Sequence, residues 1–277
     1  MTSTRSLESF LAESADRVER YLDKTLPAAS EPPVSLHEAM RYAVFSGGKR
    51  LRPALAFGAA EALGDEPDRV LPVAAAVELV HAYSLVHDDL PAMDDALQRR
   101  GRPALHVRYG EATAILVGDA LLAEAFLRLA DEAAPAGVIA RLAEAAGSRA
   151  LVGGQTDDLA LPSESVELAT ILSIHARKTA ALFRFAVWGA GRMLEASSAS
   201  LVALERFADH YGMAFQLVDD LRDADPTECS ILRVLSVDEV RTRVEAEVEA
   251  ALTALEPLGA HAGALRGLGR SLAERLT

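Results

Sequence analysis

An all-α fold is what this sequence predicts, and three observations predict it. Half of the 277 residues are hydrophobic but only 5% are aromatic, and the abundant Ala, Leu, Glu and Arg favour helix over sheet. Apolar residues recur at helical spacing along nearly the whole chain, beginning with Leu7, Phe10 and Leu11 and continuing with Val18 and Leu22. Alternating apolar–polar runs bounded by turns, the mark of strands, are lacking.

The first helix carries those five apolar residues and is ended by the Pro27–Pro33 stretch, with Ser30 and the adjacent Pro32-Pro33. Further helices are predicted at about 36–45, 52–63, 69–89, 111–131, 135–152, 164–190, 198–222, 236–256 and 261–275. Breaks fall at Gly47-Gly48, Gly64, Gly101–Pro103, Pro162 and Pro226. Helices this apolar cannot stand alone, so they must pack around a centre, and residues 1–277 are expected to form a single domain.

Charge and cysteine content exclude several functions. With 28 Lys and Arg against 41 Asp and Glu the net charge is −13, the wrong sign for a nucleic-acid binder, which needs a basic stripe. Any anionic substrate must therefore be met by locally placed cations. The single cysteine, Cys229, excludes an internal disulfide and a cysteine-rich zinc site. Met1 to Lys24 is charged throughout, with no apolar signal-peptide core. No run of about 18 uncharged apolar residues suggests a membrane span, so a cytoplasmic protein is expected.

Two aspartate clusters end long apolar helices. The first is His87-Asp88-Asp89-Leu90-Pro91-Ala92-Met93-Asp94-Asp95 and the second Gln216-Leu217-Val218-Asp219-Asp220-Leu221-Arg222-Asp223. Acid at a helix C-terminus opposes the macrodipole, and clustered carboxylates repel unless a cation sits among them. Mg²⁺ suits that need, since it takes hard oxygen ligands, often one or two carboxylates, and leaves positions for substrate phosphates. A solvated helix end is the plain alternative for either cluster alone. In the second cluster Asp219 and Asp223 are about 40° apart round the helix, and Gln216 shares that face, placed to hold a ligand or orient Asp219. In the first, Asp88 and Asp94 point apart on a regular helix, but Pro91 should distort it and bring Asp94 back beside Asp88.

Cations accompany the acids. Gly47-Gly48-Lys49-Arg50-Leu51-Arg52-Pro53 sets three cations after a flexible turn, and Arg99-Arg100 follow the first acidic cluster with guanidinium forks suited to phosphate. His81, almost two turns before Asp88, points to the same side of its helix; a lone helical histidine is more often a bystander. Lys178-Thr179 interrupts an apolar helix, where lysine would ordinarily snorkel to solvent but could instead reach an anion. Gln155 and Asp158 share a face and could support the site from behind.

Taken in order, Gly-Gly-Lys-Arg-Leu-Arg-Pro (47–53), the stretch from Tyr83 to Asp95, Arg99-Arg100-Gly101, Gly110 to Leu121, Gly154-Gln155, Lys178-Thr179 and Phe215 to Asp220 resemble the trans-isoprenyl diphosphate synthases of the polyprenyl synthetase family. The match runs from about residue 36 to 223 and more loosely to the end. It implies an all-α bundle, usually a homodimer, with both clusters facing a deep central pocket. It implies Mg²⁺, three ions when diphosphate is bound, held by Asp88, Asp94 and Asp219, with Asp223 acting through water. Arg99, Lys178, Thr179 and Gln216 would hold an allylic diphosphate; Lys49, Arg52, His81 and Arg100 would hold isopentenyl diphosphate. Asp88, Asp94, Lys178 and Asp219 are the catalytic set implied. Chain length in such enzymes is set just upstream of the first cluster. Tyr83 and its neighbour Ser84, with two extra residues inside the cluster, look like bacterial farnesyl diphosphate synthases, so a C15 product is expected.

The sequence departs from that family in three places. Ala104-Leu105-His106 replaces a polar pair before the histidine, and Ala96-Leu97-Gln98 carries no acid. Asp223 to Glu228 runs straight into Cys229-Ser230-Ile231-Leu232, and no lysine follows Lys178. Either the family's lysine-bearing lid is truly absent, or a segment has been omitted between Glu228 and Cys229; the omission is the expectation, because lids over diphosphates must move. Geranyl or geranylgeranyl synthases are the nearest alternatives. A terpene cyclase would generally lack the second set of cations, and a non-catalytic partner subunit would tend to lose aspartates.

Overall fold

The computed structural model describes residues 5–161, 166–222 and 229–276. Among these, helices account for nearly all regular structure; the strands are the two-residue pair β1 (Gln98–Arg99) and β2 (Arg102–Pro103), antiparallel across the turn at Gly101. The chain forms two compact units. One comprises residues 1–54 and 71–134, the other 55–70 and 135–277.

The first unit is built from α1 (Leu7–Thr25), α2 (Val34–Val44), the start of α3 (Leu51–Ala62), α4 (Leu71–Asp88), α5 (Leu105–Tyr109) and α6 (Glu111–Asp131). Ser6 starts α1 by accepting the Ser9 N–H at 3.1 Å. Phe10, Ser14, Val18 and Leu22, four apart, then form its buried stripe. α4 is buried on almost every side, from Pro72 to Val86, as its unbroken apolar sequence requires. It packs on α6, where the His87 ring lies so close to Gly118 that an added Cβ would stand 2.0 Å from its Nε2; that nitrogen lies 3.1 Å from the Ile115 carbonyl. The segment Pro67–Asp88 is the one described stretch long and apolar enough to cross a membrane, and 72% of its window is buried in the protein.

The second unit holds the rest of α3, α7 (Ala136–Ala146), α8 (Leu151–Leu159), α9 (Leu168–His175), α10 (Ala181–Met193), α11 (Ser198–Arg222), α12 (Val237–Ala254) and α13 (Gly263–Ala273). Its core includes Phe183, Phe185, Phe207 and Tyr211. Ser236 and Glu239 close a reciprocal capping box at the start of α12.

Two expected helices are broken. The one at 135–152 stops at Gly147, and α8 begins four residues later; the Ser148 carbonyl lies so close to Gly153 that a Cβ there would stand 2.0 Å from its oxygen. The one at 164–190 is interrupted by a single π-turn, Ala176–Ala180, closed by the Ala181 N–H on the Ala176 carbonyl. Two glycines make room for it. A Cβ at Gly154 would stand 2.6 Å from the Lys178 nitrogen, and one at Gly212 2.6 Å from Ala180 Cβ. Pro162, Pro226 and Asp223 lie outside the described residues, as does the connection before Cys229.

Candidate active site

In the first unit α4 ends at Asp88, and the next six residues turn back. The Asp94 N–H donates to the Asp88 carbonyl at 2.9 Å, and Met93 and Asp95 N–H both return to Leu90. Pro91 sits in that reversal, so the backbones of Asp88 and Asp94 are adjacent as the sequence implied. Asp89 does something different. It is 3% exposed and accepts two hydrogen bonds from Arg99, one from Nε at 3.0 Å. Arg99 is therefore aimed by an aspartate of the acidic cluster.

Arg99 and Asp89 also line a small pocket, with Ser46, Arg50, Glu78, His81, Arg100 and Arg102 among its walls and Leu85, Val86 and Ala104 as apolar lining. Gly48, with φ of 120°, lets the Arg100 guanidinium lie directly against its backbone, where a Cβ would meet the fork at 2.6 Å; Arg100 donates to the Gly47 carbonyl. Lys49 is exposed and Arg52 half-buried. Burial, then the charges of Arg52, Arg100, Arg50 and Arg99, holds the His81 pKa well below its ordinary value, so the ring is neutral. Burial and the charges of Arg50 and Arg99 likewise lower the Arg100 pKa, against the opposing pull of Glu78. Such a site carries an excess of positive charge that an anion would relieve.

Arg50 was not singled out by its sequence, yet it anchors the cationic loop. Its side chain is 1% exposed and bonds Glu78 at 2.6 Å, Glu19 at 2.8 Å and the Val44 carbonyl at 2.6 Å. Burial alone would lower its pKa, but Glu78 and Glu19 outweigh that and raise it. Its φ of 47° is uncommon for a residue other than glycine. Tyr83 is buried, edge-on to His87 with ring centroids 5.9 Å apart; burial and the nearby Asp88 push its pKa up to about 12. Ser84 donates to the His81 carbonyl at 3.0 Å, a bond internal to its helix.

In the second unit the π-turn presents Lys178 and Thr179. Lys178 pairs with Asp158, the residue expected to support the site from behind. Thr179 donates to Gln216 Oε1 at 2.8 Å, and Gln216 Nε2 donates to Asp220 Oδ1 at 3.1 Å. Gln216 thus engages Asp220, where Asp219 was the expected partner: Asp220 is one full helical turn on and turned inward. Asp219 is half-buried and Asp220 5% exposed. Gln155 is buried with neither amide atom hydrogen-bonded.

No group of three or more potential metal ligands is gathered among the described residues. Mg²⁺ does not require one, since one or two carboxylates with phosphate oxygens and water complete its shell. Hard carboxylate oxygens at Asp88, Asp94 and Asp219 fit that ion.

Residues 33–243 match the model of the polyprenyl synthetase family. The chain belongs to the polyprenyl synthetase family. It is 46% identical over 226 residues to a probable farnesyl diphosphate synthase of Sinorhizobium fredii, covering 78% of this chain and 68% of that one. A farnesyl diphosphate synthase of Geobacillus stearothermophilus is 39% identical over 241 residues, covering 84% and 81%. Among solved structures, an apo FPP/GFPP synthase from Zymomonas mobilis superposes with a TM-score of 0.90 at 35% identity, over 96% of this chain and 98% of that one. The all-α architecture expected from the sequence is that of these synthases.

Proposed function

We propose that the protein is a trans-prenyltransferase that joins isopentenyl diphosphate head to tail with dimethylallyl or geranyl diphosphate, giving farnesyl diphosphate. The observation that carries this reading is the positive pocket of the first unit, whose wall includes Asp89 of the acidic cluster and its partner Arg99. An anion-seeking pocket and a carboxylate cluster side by side suit a reaction of two diphosphates, one met by cations and one met through metal.

Lys49, Arg52, His81 and Arg100 are assigned to isopentenyl diphosphate, with the neutral His81 ring donating a hydrogen bond where a further charge would be superfluous. Arg99, Lys178, Thr179 and Gln216 are assigned to the allylic diphosphate. Asp88, Asp94 and Asp219 would hold Mg²⁺, three ions with diphosphate bound, which neutralises charge on the departing diphosphate. As the allylic carbon–oxygen bond breaks, the cations on Arg99 and Lys178 stabilise the leaving group. The double bond of isopentenyl diphosphate attacks the allylic cation, and a proton passes to the released diphosphate. Apolar helices keep out water that would quench the cation. Lys178 must exchange Asp158 for phosphate in this scheme.

The test is incubation of purified protein with isopentenyl diphosphate, Mg²⁺ and each allylic diphosphate, followed by sizing of products. A C15 product is expected; no product with any pair would sink the proposal. Tyr83→Ala should lengthen the product, and an unchanged distribution removes Tyr83 from chain-length control. A non-catalytic partner subunit is the second reading, favoured by the absence of any lysine after Lys178; turnover by the isolated protein discards it. We further propose a cytoplasmic homodimer whose residues 1–277 act as one domain, to be checked by sedimentation and by a single calorimetric unfolding transition.

A further inference from the structure

His175, the last residue of α9, has no part in the scheme above, yet it is 3% exposed and set among polar groups. Its Nε2 lies 3.3 Å from the Cys229 carbonyl oxygen and 3.6 Å from Asp220 Oδ2. Its Nδ1 is buried and hydrogen-bonds to nothing. One tautomer fits these facts: the proton sits on Nε2, donated to the carbonyl and close to the carboxylate, with the bare Nδ1 lone pair turned inward. The imidazolium would bury an N–H without an acceptor, which is costlier.

That ring is the start of a continuous polar chain inside the second unit. Asp220 accepts the Ile231 N–H at 2.8 Å and the Gln216 amide at 3.1 Å, and Gln216 accepts the Thr179 hydroxyl at 2.8 Å. Three segments meet there: the end of α9, the last turns of α11 and the start of the chain after Cys229. Gln216 belongs to the same helix as Asp220, and Ile231 lies 11 residues beyond Asp220 in the chain. His175 is the member that ties the acidic end of α11 to the helix leading into the Lys178-Thr179 turn.

We infer that His175 is a positioning residue, which props Asp220 and clips the Cys229 carbonyl so that Asp219 and the Thr179–Gln216 pair are held in place for a diphosphate. This rests on the assignment of Asp219 and its neighbours to diphosphate binding. It does not make His175 a ligand of substrate or metal. Loss of a support of this kind costs metal and substrate sites about 10- to 100-fold.

The test compares His175→Leu, which keeps bulk and removes the donor, with His175→Gln, whose amide nitrogen replaces Nε2. Two quantities are read: turnover kinetics, and calorimetric binding of inorganic pyrophosphate in MgCl₂. His175→Leu should lower kcat about 10- to 100-fold and weaken pyrophosphate binding about tenfold, with KM for isopentenyl diphosphate within about twofold of the parent. His175→Gln should recover most of both losses. A folded His175→Leu protein with parental kcat and pyrophosphate affinity overturns the inference, as does a His175→Gln protein no better than His175→Leu. If His175→Leu does not fold, His175→Gln alone decides, near-parental values supporting the inference and a full loss overturning it. Parental protein that binds pyrophosphate but forms no product strikes the reaction proposed above and leaves the binding comparison standing; parental protein that binds none overturns both.

Discussion

Asp88-Asp89 in the first unit and Asp219-Asp220 in the second are each a pair in which the second aspartate is buried, but their partners differ. Asp89 takes an arginine, itself assigned to substrate. Asp220 takes a backbone N–H and a carboxamide, with an imidazole close by. In the first unit the buried negative charge is cancelled by a cation, leaving a local surplus of arginines. In the second the carboxylate accepts from neutral donors, and the Lys178 ammonium pairs with Asp158. The same dipeptide thus aims an arginine into a positive pocket in one place, and ties a carboxamide and a backbone N–H together in the other. The lesson is that the buried aspartate acts through the neighbour it holds, and the neighbour differs.

The comparison is broken most directly at the outward members. Asp88→Ala and Asp219→Ala should each cut kcat by about a thousandfold or more, about 4 kcal/mol of transition-state stabilisation, with unchanged circular dichroism; near-parental turnover in either takes that residue out of the metal set. The next largest effect tests how the first unit keeps its cations in place. Glu78→Ala leaves Arg50 buried without its main partner, and loss of one side of such a pair costs about 3–5 kcal/mol, read as a lower denaturant midpoint with a similar slope. A midpoint within error of the parent would mean that Glu19 and Val44 suffice for Arg50.

A smaller effect is expected in the second unit. Gly154→Ala must displace the Lys178 backbone, not a flexible side-chain tip, and overpacking of this kind costs about 1–3 kcal/mol. It should raise KM for the allylic substrate more than KM for isopentenyl diphosphate. Equal changes in both would detach the π-turn from allylic binding.

The smallest concerns pH. Unfolded His81 titrates near its ordinary value of 6.5 and folded His81 well below it. Between those values the unfolded chain binds a proton that the folded one refuses, so stability falls as pH drops below 6.5. His81→Asn should flatten that part of the stability-versus-pH curve. An unaltered slope would assign the loss to other groups, the similarly depressed His175 first among them.

Much of this was legible in the sequence, for identifiable reasons. α6 and α11 begin and end where the periodic pattern does, at Glu111–Asp131 and Ser198–Arg222, because long amphipathic runs are over-determined by many side chains. The return of Asp94 to Asp88 followed from one proline. The stop at Gly147 was not legible, since an isolated glycine is compatible with a continuing helix. Nor was the π-turn, which exists because Gly154 and Gly212, distant in sequence, admit it. Residue types at the site could be read, but not their division of labour. Adjacent aspartates look alike in sequence, and which one is buried depends on Arg99 or on the Ile231 N–H, partners ten or eleven residues away. Arg50 looked like one basic residue among three, and only its two glutamates, in α1 and α4, reveal it as an anchor.

The π-turn at Ala176–Ala180 holds one residue more than an α-helical path between the same ends would need. Excising a single residue there would let α9 and α10 fuse into one regular helix, a locally favourable change. But each residue advances a helix by about 100°, so everything upstream would swing by that amount, carrying the His175 ring away from Asp220 and the apolar side of α9 away from its neighbours. A deletion that improves the hydrogen-bond ladder would therefore scramble the phase of the helix, and the chain should tolerate point replacements in this turn far better than any change in its length.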